Sequence, residues 1–180
     1  MLRVATALPL FVQDGAGFAM ERFPMASERR DLEYRERVEA LIFNANVLHS
    51  AGFEFDELPS DVRAIYYSDF ILLELLEAGA ESFVETQLPL HPATENDVIK
   101  ALERIGAAET SALFRRYFVG KTEINLLEAN DSFAATRKRE NVEALADALM
   151  LETLQIAWKP EAEVDAELAS TVLDRKLTAQ

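Results

Sequence analysis

The segment from Val62 to Leu76 most limits what this chain can become. Val62, Ile65, Tyr66, Phe70, Leu72, Leu73 and Leu76 recur at helical spacing, and Tyr67, Ile71 and Leu75 fill flanking positions. The apolar arc is too wide for a surface helix, so other elements must cover it. Gly79 ends the run, because glycine enters the left-handed conformation of a helix stop without a Cβ penalty. A shorter helix is expected around Phe83 and Val84.

The same period governs most of the chain, and strand-like alternation is confined to the first dozen residues. A first helix is expected after Ser27 as N-cap, through Leu32, Val38, Leu41, Ile42, Ala45 and Leu48, stopping at Gly52. In the loop that follows, Pro59 suits a first helical turn and Asp61 suits the positive end of a helix dipole. Thr94 with Asp97 reads as a capping box for a helix ending at Gly106. A tight antiparallel partner helix then ends at Gly120. "KTEINLLEAN" reads as a weak element or loop. A long helix is expected from between Asp131 and Glu140 to Trp158, and a last amphipathic one through Val164, Leu168, Val172 and Leu173, with Arg175 and Lys176 at its negative end. The expected fold is all-α: a single-domain helical bundle of about seven helices over residues 1–180, with a short extended N-terminal arm at residues 1–26.

A chain of 180 residues that is 49% hydrophobic can bury one substantial core. With a Cys count of 0, disulfides, thiolate metal sites and a cysteine nucleophile are excluded. "MLRVATALPLFV" is too short to span a bilayer and lacks a cleavage site, so it is read as an arm packing on the body of a cytoplasmic protein. The net charge of −14 opposes contact with nucleic acid and with anionic membrane, and favours a basic protein as partner.

Motifs for chemistry are weak. Gly120, Lys121 and Thr122 resemble the end of a phosphate loop, but Arg115 stands where its first glycine belongs. Neither His49 nor His91 has a glutamate three residues before it, since Asn46 and Leu88 occupy those places. His49 is expected to cap carbonyls at the end of the first helix. Glu74 and Asp69, beside the apolar face, are the candidates for a general acid or base if buried. Arg137, Lys138 and Arg139 form a basic run expected on a solvated face as partners for carboxylates. No catalytic residue, cofactor or metal is expected.

The distribution of charge says more than its sum. Residues 51–99 hold eleven acids against one base, Arg63, and so carry ten of the fourteen net negative charges. A surface built only for solubility intersperses both signs, as the first helix does with Glu28, Arg29, Arg30, Asp31, Arg35, Glu36 and Arg37. Concentrated charge is self-repelling and suggests a cationic partner. Glu77, Glu81 and Glu85 would align on one face if the helix continued through Gly79.

"LPSDVRAIYYSDFILLELLEAGAESFVETQ" and "DVIKALERIGAAETSALFRRYF" together resemble the C-terminal domain of the bacterial DNA-mimic protein family over roughly Leu58 to Phe118. In that family a motif N-N-G-G-F-x-Q-F follows a glutamate, and a later helix reads I-G-A-x-E. The resemblance places the glutamate at Glu74, the second glycine at Gly79 and the closing aromatic at Phe83, and the later motif at Ile105, Gly106, Ala107 and Glu109. Leu76, Glu77, Ala78, Ala80 and Ser82 replace the family's two Asn, first Gly, Phe and Gln, so the helix–Gly–helix frame survives without its amides.

The resemblance implies an all-α fold without enzymatic chemistry and a role as an acidic decoy for a DNA-binding protein. The expected partner surface comprises Glu54, Asp56, Glu57, Asp61, Glu77, Glu81 and Glu85. The alternatives are an immunity-type inhibitor of a basic toxin and a carboxylate-dependent hydrolase or lyase. Wide apolar arcs on several helices leave room for a homodimer.

Overall fold

The computed structural model describes residues 11–14, 17–87, 92–121 and 123–178. The first ten residues of the expected arm, His91 and Thr122 lie outside the described residues. The arm's described residues fall mostly in three strands. Strands β1 (Phe11–Asp14) and β2 (Gly17–Met20) form an antiparallel hairpin in which Phe11 faces Met20. Strand β3 (Phe23–Ala26) is buried along its whole length.

Ser27 does not cap a long helix. It opens a short 3₁₀ turn, Ser27–Arg29, and helix α1 (Tyr34–Ser50) starts after an extended Glu33 that makes no side-chain cap. Leu32 therefore lies before the helix and is exposed. α1 then buries Val38, Leu41, Ala45 and Leu48 on one stripe. His49 closes it, with Nδ1 2.9 Å from the Phe53 carbonyl.

Helix α2 (Ser60–Ile71) is the centre expected from the sequence. Pro59 is its N-cap rather than a residue of its first turn. The helix passes into a π-helical turn over Leu72–Glu77, where the apolar run of Leu72, Leu73, Leu75 and Leu76 falls. Gly79, at φ +92°, ends it and α3 (Ala80–Gln87) follows. A Cβ on Gly79 would meet Asn130 Oδ1 at 3.4 Å; that atom accepts the Ala80 N–H at 2.7 Å and supplies from another helix the cap that α3 lacks in its own sequence.

Helix α4 (Pro92–Ile105) begins before Thr94, which therefore lies inside the helix rather than at its cap. It packs along α2, the most extensive helix–helix contact in the molecule, and α5 (Ala108–Tyr117) folds back beside it after Gly106. Phe83 of α3, Phe114 of α5 and Phe118 then meet in one aromatic cluster, with Phe83 and Phe118 centroids 4.9 Å apart.

The expected long helix ending at Trp158 is two helices and a strand. α6 (Leu126–Arg137) starts where a weak element was expected, because Asn125 Oδ1 accepts the Glu128 N–H at 3.2 Å. α7 (Val142–Glu152) starts at Asn141, which accepts the Ala144 N–H at 3.1 Å. Trp158 belongs to strand β4 (Ile156–Lys159), which pairs in parallel with β3, Phe23 facing Ile156. Asn44 of α1 locks this pair to the helices by donating to the Pro24 carbonyl at 3.1 Å. The final helix α8 (Glu161–Thr178) carries Arg175 and Lys176 in its last turn. Helices dominate the fold, as expected, with eight α-helices among the described residues rather than about seven. One buried cluster runs through them from Met20 to Leu168.

Candidate functional site

The seven acidic residues expected to form a partner surface lie at the two ends of the central helical segment. At the N-terminal end, Phe55–Glu57 form a 3₁₀ turn closed by a capping box. The Glu57 N–H donates to the Glu54 carbonyl at 3.0 Å, and Glu57 Oε2 accepts the Glu54 N–H at 2.7 Å. Arg175 pins this turn from α8, donating to Glu57 at 2.8 Å and to the Gly52 carbonyl at 2.9 Å while lying 4.7 Å from the Phe53 ring centroid. The Phe55 ring rests between His49 and Tyr66, each 4.9 Å away. Glu54 and Asp56 thus stand exposed on a turn held from below, and neither makes an ion pair among the described residues.

Asp61 is not part of that surface. It is 3% exposed and takes two hydrogen bonds from Arg104, at 2.6 and 3.0 Å, and one from Thr153 at 2.6 Å. Burial alone would push its carboxyl up, but these hydrogen bonds and the Arg104 charge outweigh it and hold the group below the usual carboxylate range. The dipole argument placed Asp61 correctly in the first turn of α2 and gave no sign that Arg104 would cover it.

At the other end the expected row of three glutamates is broken. Glu77 lies on the π turn before Gly79, between Arg35 and Arg137, each at 3.8 Å, so its charge is shared with two cations. Glu81 and Glu85 lie beyond the break on α3, one turn apart, exposed and free of ion pairs among the described residues. The basic run closes α6. Arg137 donates to the Leu76 carbonyl at 2.9 Å and Arg139 pairs with Glu109 at 2.6 Å. Of the seven predicted residues, Glu54, Asp56, Glu81 and Glu85 remain unneutralised. The helical segment between the two pairs, residues 60–77, is about 25 Å long at helical rise.

The candidate acid–base residues are enclosed or engaged. Asp69 is 1% exposed and accepts from Arg35 at 2.8 Å. Burial raises its carboxyl more than Arg35 lowers it. Tyr34 close by is pushed well above its usual range, first by burial and then by the Asp69 charge. Glu74 is half-buried and accepts from Gln87 at 3.3 Å. Among the described residues no group of three or more His, Asp or Glu could hold a metal ion, and no helix is long and apolar enough to cross a membrane.

Sequence reasoning missed a groove between α1 and α8. It is lined by Phe43, Val47, Leu168 and Val172, with Glu39 and Asp165 on its rim, and Phe43 is 67% exposed. An aromatic on the outer side of α1, out of phase with its buried stripe, was the available signal.

A family model described as DMP19-like protein matches residues 56–175. The match takes in every helix from α2 to α7 and most of α8, and leaves out α1 and the strands β1 to β3. No curated protein matches the chain, and no solved structure does.

Proposed function

The chain belongs to the DMP19-like protein family, the DNA-mimic type its sequence resembles, and on that premise we propose that it is an acidic interaction module that occupies the basic DNA-binding surface of another protein. The observation that carries this reading is the pair of unneutralised carboxylate clusters, Glu54 with Asp56 and Glu81 with Glu85, at opposite ends of one helical segment. The intervening helical segment, about 25 Å long, corresponds to about seven base pairs of duplex at 3.4 Å per step. A groove-binding protein meets phosphates over such a span, and carboxylates set on a pinned turn and a capped helix offer it charge with little ordering cost. Glu57 and Glu77 contribute at reduced strength, because Arg175, Arg35 and Arg137 share their charge.

Family membership also supports a partner that is a protein, and a role that is not catalytic. A basic toxin would present similar chemistry, and the partner's own affinity for duplex DNA separates the two.

The test is capture of partners from native extract on immobilised protein at low salt, run beside a variant carrying Glu54→Gln, Asp56→Asn, Glu81→Gln and Glu85→Gln. All four sites are exposed, so the variant is expected to fold. Retention of a DNA-binding protein by the wild type and its loss, by about tenfold or more, on the variant is the expected result. Equal retention on both removes these residues from the interface.

A further inference from the structure

A second charged feature lies on the flank of α2 and carries the opposite sign. α2 presents Ser60, Arg63, Ala64 and Tyr67 to a cleft of about 230 Å³, and α4 presents Asp97, Lys100, Ala101 and Arg104 to the same cleft. Each set follows i, i+3, i+4, i+7 spacing, so two helical stripes face each other across the molecule's most extensive helix contact. From this arrangement we infer that the α2–α4 cleft is a binding site for a small organic carboxylate.

The charge inventory of the cleft favours one negative charge. Arg63, Lys100 and Arg104 bring three cations. Asp61 beneath them engages Arg104 through its Nε and Nη2, and Asp97 adds a second carboxylate to the lining. What remains is a surplus of one positive charge, in a chain whose net charge is −14. Arg63 is the one base among residues 51–99. Its side chain makes no hydrogen bond or ion pair among the described residues, and its Nε is buried without a partner. An unpartnered buried donor costs about 1–3 kcal/mol, which a ligand acceptor would relieve. Lys100 is exposed and likewise unpaired among the described residues. Its position opposite Arg63 allows the two side chains to close on one carboxylate. A dianion would exceed the surplus charge.

The body of the ligand is set by the remaining lining. Ala64 and Ala101 leave room between the helices, and the Tyr67 ring offers an apolar wall, so a flat or branched hydrocarbon portion fits behind the carboxylate. The volume lies below the ~300–1,000 Å³ of sites for drug-sized molecules, which restricts the occupant to a small one.

The test uses the full-length chain labelled with ¹⁵N, titrated with benzoate, with its neutral isostere benzamide and with inorganic phosphate, following the Arg63 Nε–H resonance. Benzoate is expected to move it saturably, with benzamide and phosphate weaker by about tenfold. Arg63→Met and Lys100→Met should each weaken benzoate by about tenfold while leaving the rest of the spectrum in place, since neither side chain holds another element by a hydrogen bond. Benzamide binding as well as benzoate, no saturable shift at Arg63, or a folded Lys100→Met variant that binds like the wild type would each overturn the assignment. The four-site acidic variant is expected to keep the full benzoate response, so this inference and the proposed function fail separately.

Discussion

Asp61 converts from a surface charge in the sequence to a buried one in the fold, and its replacement reads that difference directly. Asp61→Asn removes two charge-assisted hydrogen bonds to a half-exposed Arg104 and is expected to destabilise the protein by about 2 kcal/mol in urea unfolding at neutral pH. The pH dependence follows from the depressed carboxyl. Because the folded state binds this proton more weakly than the unfolded chain, the stabilisation is complete above the ordinary aspartate value and is lost as pH falls through and below it. The acid limb of the stability curve should therefore be shallower in Asp61→Asn than in the wild type. Asp69 acts in the opposite sense. Its raised carboxyl favours the folded state most at acidic pH, and that contribution is lost as pH climbs past the ordinary aspartate value. At this scale the sequence supplied dipole position and residue type, but not depth. Asp61 and Glu81 both stand in the first turn of a helix, and only the packing of α4 against α2 distinguishes the buried one from the exposed one.

At the scale of elements, helix stops were legible wherever glycine made them, because a positive φ is a local requirement that a single residue satisfies. Gly52, Gly79, Gly106 and Gly120 all adopt it. Starts were less legible. The caps at Asn125 and Asn141 lie inside polar stretches with many candidate residues, and the cap of α3 comes from Asn130, fifty positions away in sequence. Asn130→Ala is expected to cost about 1 kcal/mol and to fray α3, which would appear as faster amide exchange at Ala80. Strand β4 was hidden for a different reason: four residues show too little alternation, and their partner β3 lies more than a hundred positions earlier. The aromatic cluster under α3 makes a sharper test of its packing. Phe83 is fully buried against Phe118 and Phe114, so Phe83→Ala should cost about 3–5 kcal/mol in thermal or urea unfolding. The turn that displays Glu54 and Asp56 depends on α8 in the same way. Arg175→Ala should leave the global stability nearly unchanged while raising amide exchange at Glu54, whose N–H is held by the Glu57 carboxylate that Arg175 grips.

For the molecule as a whole, the concentration of acids in residues 51–99 was visible in the sequence, whereas the fate of each acid was not, because its neutralising arginine comes from a distant element. Arg175 reaches Glu57 across more than a hundred residues, and Arg35 and Arg137 converge on Glu77 from α1 and α6. What persists is two exposed acidic clusters joined by a rigid helical segment. That differs from the aligned row of Glu77, Glu81 and Glu85 that the sequence suggested. The family match begins at Asp56, so strand β3, which pairs with β4 inside the family region, and the helix α1 that covers α2 lie before it.

Salt dependence of partner binding, measured together with competition by duplex DNA, separates an acidic decoy from other kinds of interaction module. For a DNA-binding protein captured on this chain, affinity is expected to fall steeply as salt rises from about 0.05 to 0.2 M, with duplex DNA displacing the partner stoichiometrically. An affinity indifferent to salt, or a ternary complex in which the partner holds duplex DNA and this protein at once, would contradict the decoy role.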